Sequence, residues 1–229
     1  MFVHGWSCDR SYWRSLDFPA SRVVTVDLAG HGESGAGRSS WTMSAFGEDV
    51  AAVVSELGLS RVVLVGHSMG GDVVVEAALR MRERVAGIVW VDAYRKLGAG
   101  SSVEAIAERV APFRQDFRAS TLAFVRAMFP PGADRVLAER VAEDMASAPP
   151  SVAVPALIEA WSGGRVMPGL LARLGLPVVA INPAEPASDE ASLAVHGVEL
   201  VTMPGVGHFP MLEDPTRFNE VLREVIARF

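Results

Sequence analysis

The sequence predicts a doubly wound α/β fold, a mostly parallel sheet with helices on both faces. Three observations carry that prediction: short β-branched runs recur along the chain, helical patterns alternate with them, and the runs are almost continuously apolar. A strand covered on both faces needs continuous apolar character, whereas a strand with one wet face alternates. Strands and helices in alternation build a parallel sheet.

The strands are read at RVVTVD (Arg22–Asp27), RVVLVG (Arg61–Gly66), GIVWVD (Gly87–Asp92), PVVAIN (Pro177–Asn182) and VELVTM (Val198–Met203). Between the first two, Phe46, Val50, Val53, Val54 and Leu57 repeat at helical spacing, with Thr42 or Ser44 as N-cap and Gly58 as stop. A second helix follows Ser68, and a third closes the chain from Pro215, with Phe218, Val221, Leu222 and Val225 on one face. From Tyr94 to about Leu176 no strand pattern occurs. Helical segments VEAIAERVAPF, TLAFVRAMF and DRVLAERVAEDMA fill this stretch, punctuated by Pro130–Pro131 and Pro149–Pro150. The expected organisation is therefore a core of residues 1–93 and 177–229 with a helical cap inserted at 94–176. The cap belongs over the carboxyl edge of the sheet, where open α/β folds bind ligands.

Composition narrows the function classes. Half the 229 residues are apolar and 21% are charged, a globular balance. The net charge is −6 with no basic cluster, which argues against nucleic acid and anionic membrane as partners. Cys8 is the only cysteine, so neither an internal disulfide nor a multi-cysteine metal site is available. No apolar run reaches a membrane span, and MFVHGW lacks a basic leader with an apolar core, so a soluble cytoplasmic protein is expected. No metal-ligand spacing and no dinucleotide fingerprint is present, and the expectation is a small-molecule substrate with no cofactor.

The stretch VVLVGHSMGGDVVVEAAL (Val62–Leu79) carries the chemistry. It runs from strand to helix through GHSMG, a G-x-S-x-G pattern in which the serine occupies a strained turn. Gly66 and Gly70 leave room for that turn, Ser68 is lifted above the sheet, and the Met69 N–H lies at the positive end of the helix. A serine needs a base. His208, in the Gly-rich loop PGVGHFPMLEDP after the last strand, reaches the same sheet edge. His67 is read as facing away, His196 as an exposed helix end, and His4 and His31 as loop-shaping residues.

Taken together these motifs resemble the α/β-hydrolase superfamily over nearly the whole chain. VHGW (Val3–Trp6) resembles its His-Gly oxyanion loop, DLAGHGES (Asp27–Ser34) the loop after the next strand, and GHSMGG the nucleophile elbow. GVGHFPMLEDPTRFNEVL matches the catalytic-histidine loop and final helix. The resemblance implies the α/β-hydrolase fold, with Ser68 as nucleophile, His208 as base, and the N–H groups of Trp6 and Met69 as oxyanion hole. It departs from the family in two places. The usual position of the acid, after PVVAIN, falls on Pro186, so the acid is sought at Asp92, at the end of the preceding strand, with Glu185 or Asp189 as alternatives. Only Met1, Phe2 and Val3 precede His4, so the N-terminal strands are read as missing or shortened, through an upstream start or a shortened copy.

A serine at the elbow implies acyl transfer and argues against the epoxide hydrolases and dehalogenases of the family, which place Asp there. The expected reaction is hydrolysis of a small to medium, moderately apolar ester or lactone through an acyl-enzyme. Phe113, Phe117, Phe124, Met128, Phe129 and Trp161 are the candidate pocket residues. Cofactor-free C–C bond hydrolysis and perhydrolysis use the same triad, and a non-catalytic binding protein on the same fold is the competing class.

Overall fold

The computed structural model describes residues 1–19, 21–98 and 100–229. Its strands are β1 (Phe2–Val3), β2 (Thr25–Val26), β3 (Val62–His67), β4 (Val85–Val91), β5 (Val178–Pro183) and β6 (Val198–Met203). They form one sheet in the order β2-β1-β3-β4-β5-β6, and every pairing is parallel. In β3, β4 and β5 nearly every consecutive residue is buried, so both faces of the sheet are covered.

The helices are α1 (Met43–Glu56), α2 (Gly70–Arg80), α3 (Val103–Gln115), α4 (Phe117–Arg126), α5 (Arg135–Ala146), α6 (Pro150–Ser162), α7 (Met167–Leu174), α8 (Glu190–Val195), α9 (Pro210–Glu213) and α10 (Pro215–Ile226). Thr42 caps α1 by accepting from the Ala45 N–H, and Gly58, at φ +60°, ends it. The helix α2 packs against α1 and α7 and lies on β3 and β4. The final helix buries Phe218, Val221, Leu222 and Val225, and Trp13 joins Phe218 to Phe2 of β1.

Chain order reverses at β1. The chain leaves β1 outward to β2 and then returns to the other side of β1 as β3. The loops after β1 and β3 therefore diverge and leave a crevice at the carboxyl edge of the sheet. The central strand, expected to be missing or shortened, is two residues long, yet it pairs on both sides: Phe2 with Thr25 and Val65, and Val3 with Val26 and Gly66. A hollow of about 380 Å³ beside β1 is lined by Met1, Val24, Arg61, Val62 and Phe229.

Between β4 and β5 every regular element among the described residues is helical. The helix α3 packs on α4 and α6, and α4 on α5, whereas α7 already lies against α2. Pro150, read as punctuation, is the first residue of α6, where its missing N–H costs nothing. Trp6, in the loop after β1, presents its ring edge-on to Phe113, Phe117 and Phe124, and its Nε1 donates to Ala153 O at 2.7 Å. Among the described residues no helix is long and apolar enough to cross a membrane.

Candidate active site

Ser68 stands between β3 and α2 at φ +50°, a left-handed conformation that side chains rarely adopt. Its N–H donates to Val91 O at 2.9 Å, and its carbonyl accepts from the Gly71 N–H at 2.8 Å, so the turn is held from both ends. Only glycine fits around it. A Cβ on Gly66 would lie 2.2 Å from Gly70 O, and one on Gly70 would lie 2.6 Å from Val3 O.

Asp92 follows β4 directly, also at positive φ (+43°), with its N–H on Ile181 O at 3.0 Å. His208 lies in the loop between β6 and α9. That loop is clamped by one carboxylate: Glu213 accepts from Gly207 N–H at 2.8 Å and from Phe209 N–H at 2.9 Å. His208 Nδ1 meets Asp92 Oδ2 at 2.7 Å. Burial alone would raise the Asp92 carboxyl, but the His208 hydrogen bond and the charges of His208 and Arg95 outweigh it and hold the group below the usual carboxylate range. An ionised carboxylate only accepts, so Nδ1 carries the proton in this bond and Nε2 is the ring nitrogen turned away from Asp92. Arg95 shares the same oxygen at 3.0 Å and also donates to Pro186 O.

The alternative acids stand elsewhere. Asp189 caps α8 through Ser192 N–H and pairs with Lys96 at 3.2 Å. Glu185 lines an adjoining groove of about 600 Å³ that shares Asp92 and His208 with the hollow at Ser68 and is also lined by Arg95, Phe129 and Pro131. Neither meets an imidazole nitrogen of His208 among the described residues.

Trp6, Ser68, Met69, Asp92 and His208 line one hollow of about 200 Å³. Trp6 and Met69 are buried, and among the described residues neither backbone N–H has an acceptor. Buried N–H groups without partners are rare, and a pair of them beside a serine suits a developing oxyanion. Ser68 Oγ makes no hydrogen bond to the described residues; in unliganded sites such contacts are often loose.

Of the predicted pocket residues, Phe124, Met128 and Trp161 line this hollow. Phe113 and Phe117 do not: both pack edge-on against Trp6, and Phe113 also meets Phe124 and Trp161, so their rings are spent on helix packing. Phe129 stacks on Phe209, with ring centroids 5.2 Å apart, and lines the adjoining groove. His67, read as facing away, does not. Its ring lies 4.7 Å from that of His208, and its Nε2 donates to the His208 carbonyl at 2.8 Å. Burial lowers its pKa to about 3, so it is a neutral support for the loop. His4 fits its expected role, accepting from Leu28 N–H and bonding Gly5 O.

Sequence reasoning missed Asp72 and Tyr94, which line the same hollow. Asp72 is 5% exposed, and Tyr94 OH donates to its Oδ1 at 2.6 Å. A polar residue at a position where α2 faces the sheet was the available signal. Among the described residues, no group of three or more His, Cys, Asp or Glu is placed to hold a metal ion.

An open parallel sheet with a strand–turn–helix serine at its switch point is the framework of a hydrolase enzyme. The Alpha/beta hydrolase family model matches residues 1–221, and the chain belongs to that family. Among curated proteins, an uncharacterized protein of Mycobacterium tuberculosis is 25% identical over 255 residues, covering 97% of this chain and 73% of its own length. A non-heme haloperoxidase of Rhodococcus erythropolis is 40% identical over 84 residues, 35% of this chain and 31% of its own. Among solved structures, a Rhodococcus esterase superposes with a TM-score of 0.74 at 27% identity, covering 99% of this chain and 89% of that one. A thermophilic esterase from Thermogutta terrifontis gives 0.81 at 24% identity over 99% and 88%.

Proposed function

We propose that this hydrolase cleaves small to medium, moderately apolar carboxylic esters or lactones through an acyl-enzyme on Ser68. His208 takes the Ser68 proton and returns it to the leaving alcohol, and Asp92 orients His208 and stabilises its charged form. The N–H groups of Trp6 and Met69 hold the tetrahedral oxyanion, each worth about 2.7–4 kcal/mol in the transition state. Water, activated by His208, then attacks the acyl-enzyme and releases the acid and Ser68. The observation that carries this reading is the convergence, on one hollow, of the strained Ser68 turn, the His208–Asp92 hydrogen bond and two buried N–H groups without acceptors.

The helices α3–α6 act in this reading as the cap, closing an acyl site with Phe124, Met128 and Trp161. A cavity of roughly 150 Å³ takes a benzene ring, so the acyl site suits a short chain or a single ring. The adjoining groove takes the alcohol.

A fluorophosphonate labels only a serine that has both a base and an oxyanion hole. Intact-mass spectrometry of the folded protein is expected to show one adduct on the wild type and none on Ser68→Ala. No adduct on folded wild type would turn the reading toward a non-catalytic binding protein. The haloperoxidase similarity favours a second reaction at the same site, in which hydrogen peroxide replaces water and the acyl group leaves as a peracid. Peracid titration with acetate and peroxide tests it, and a panel including vinylogous diketones tests C–C bond hydrolysis.

A further inference from the structure

The proposed chemistry leaves one polar feature of the hollow unused. Asp72, in the first turn of α2, is 5% exposed, and its Oδ1 is held by the Tyr94 hydroxyl at 2.6 Å. Besides Tyr94 the carboxyl is supported only by the backbone N–H of Asp72 itself, no other described residue donates to it, and the group lines the cavity that contains Ser68. Burying a carboxyl in this way is costly. Burial pushes it up to about 7, against the hydrogen bond from Tyr94. The Tyr94 hydroxyl and the backbone N–H of Asp72 itself offset only part of that cost, and a leucine would have filled the space.

The surroundings are fitted to the pair. A Cβ on Gly163, at the end of α6, would lie 2.2 Å from Asp72 Oδ1 and 2.7 Å from the Tyr94 oxygen. The helical insertion thus approaches the pair with bare backbone, while Ala160, Trp161 and Leu157 beside it are apolar. The hollow is therefore an apolar acyl site with one fixed acceptor in its wall. From this we infer that Asp72, oriented by Tyr94, selects acyl groups that carry a hydrogen-bond donor, a hydroxyl or an amide N–H, over isosteric alkyl groups. The inference rests on the acyl-enzyme reading and names its substrate class. In a site built to bond a hydroxyl, an alkyl analogue leaves the carboxylate desolvated and unpaired, and the discrimination is large.

The test is a matched series of ethyl hexanoates bearing a hydroxyl, a keto oxygen or a methyl group at C3, C4 or C5, assayed at pH 8, above the value of about 7 to which burial pushes Asp72. Wild type is expected to prefer the hydroxyl over the methyl by at least about tenfold in kcat/KM at one position, and to discriminate against the keto ester there. Asp72→Asn keeps an oxygen for Tyr94 and turns an amide N–H into the cavity, so the preference moves to the keto ester. A purely structural tie between α2 and Tyr94 would not reverse the order of substrates. A hydroxyl-to-methyl ratio near one at all three positions, or a ratio unchanged by Asp72→Asn, overturns the inference. Calorimetric titration of the same esters into Ser68→Ala, with and without Asp72→Asn, reads the preference as Kd ratios without turnover. Absence of hydrolysis by wild type therefore counts against the acyl-enzyme, and flat Kd ratios count against Asp72.

Discussion

Ser68 and Asp92 both sit at positive φ, a conformation that costs a side-chain-bearing residue about 1–3 kcal/mol and persists only where neighbours over-determine it. Each is held by a backbone bond to the next strand, Ser68 N–H to Val91 O and Asp92 N–H to Ile181 O. Strain at these two positions aims both side chains into the crevice. Asp92→Asn keeps the shape but exchanges an acceptor for a donor facing His208, favouring the wrong tautomer. A fall in kcat of about 10⁴-fold is expected with little change in fold, whereas a change within a few-fold would remove Asp92 as the acid. Asp72 gives a second prediction, about stability. Its folded pKa is about 7 against an ordinary 3.8, so between those values the unfolded chain releases a proton that the folded chain keeps. The contribution of Asp72 to stability is thus intact below about 4 and is lost as pH rises toward about 7. Melting curves of wild type and Asp72→Asn at pH 4.5 and pH 7.5 should show the variant gaining relative to wild type at the higher pH.

At the scale of elements, the site is a matter of how strands end. The turn from β3 into α2 is tight enough that Gly66 lies against the backbone of Gly70. Gly66→Ala should cost about 3 kcal/mol or more, because backbone rather than a movable side chain must give way. Urea denaturation measures it. The loop from β6 to α9 is organised differently, through Glu213, whose two oxygens accept from the residues on either side of His208. Glu213→Gln presents an NH₂ to one of those N–H groups and leaves it unpaired in a half-buried setting. The expected cost is about 1–3 kcal/mol, with kcat/KM lowered about tenfold as His208 loses its fixed position. Unchanged kinetics would mean that the bond from His67 to the His208 carbonyl and that from the His208 N–H to Met128 O are enough to hold the loop.

For the molecule as a whole, the insertion and the sheet meet at Trp6. Its indole N–H reaches Ala153 O on α6, its ring meets Phe113, Phe117 and Phe124, and the residue lines the hollow. Tyr12 adds a second tie, to Asp144 at 2.7 Å. Trp6 thereby touches both the helical layer and the crevice. Trp6→Phe keeps the aromatic cluster but leaves Ala153 O without its donor. A loss of about 1–3 kcal/mol is expected, together with faster hydrogen exchange in α6. Equal exchange rates would show that the ring cluster and the Tyr12–Asp144 bond hold the layer down without the indole N–H.

Much of this was legible in the chain. The near-continuous Val and Ile runs determined a parallel sheet, the Gly-flanked serine between strand and helix determined the elbow, and the capping and apolar spacing determined α1 and α10. These features are local: periodicity, steric need and capping act within a few residues, so they are written where they act. The partner of His208 was narrowed to Asp92, Glu185 or Asp189, but the choice depended on how two distant strand ends meet. The packed sheet brings Asp92 Oδ2 and His208 Nδ1 within 2.7 Å, which supports Asp92 as the proposed acid. The same holds for the aromatic residues of the insertion, where identical helical spacing placed Phe124 on the hollow and Phe117 against Trp6. It holds also for Asp72, which reads as an ordinary helix-start acid until Tyr94 and Gly163 close around it. Which apolar face is core and which is site is set by the partner surface, and that exists only in the folded molecule.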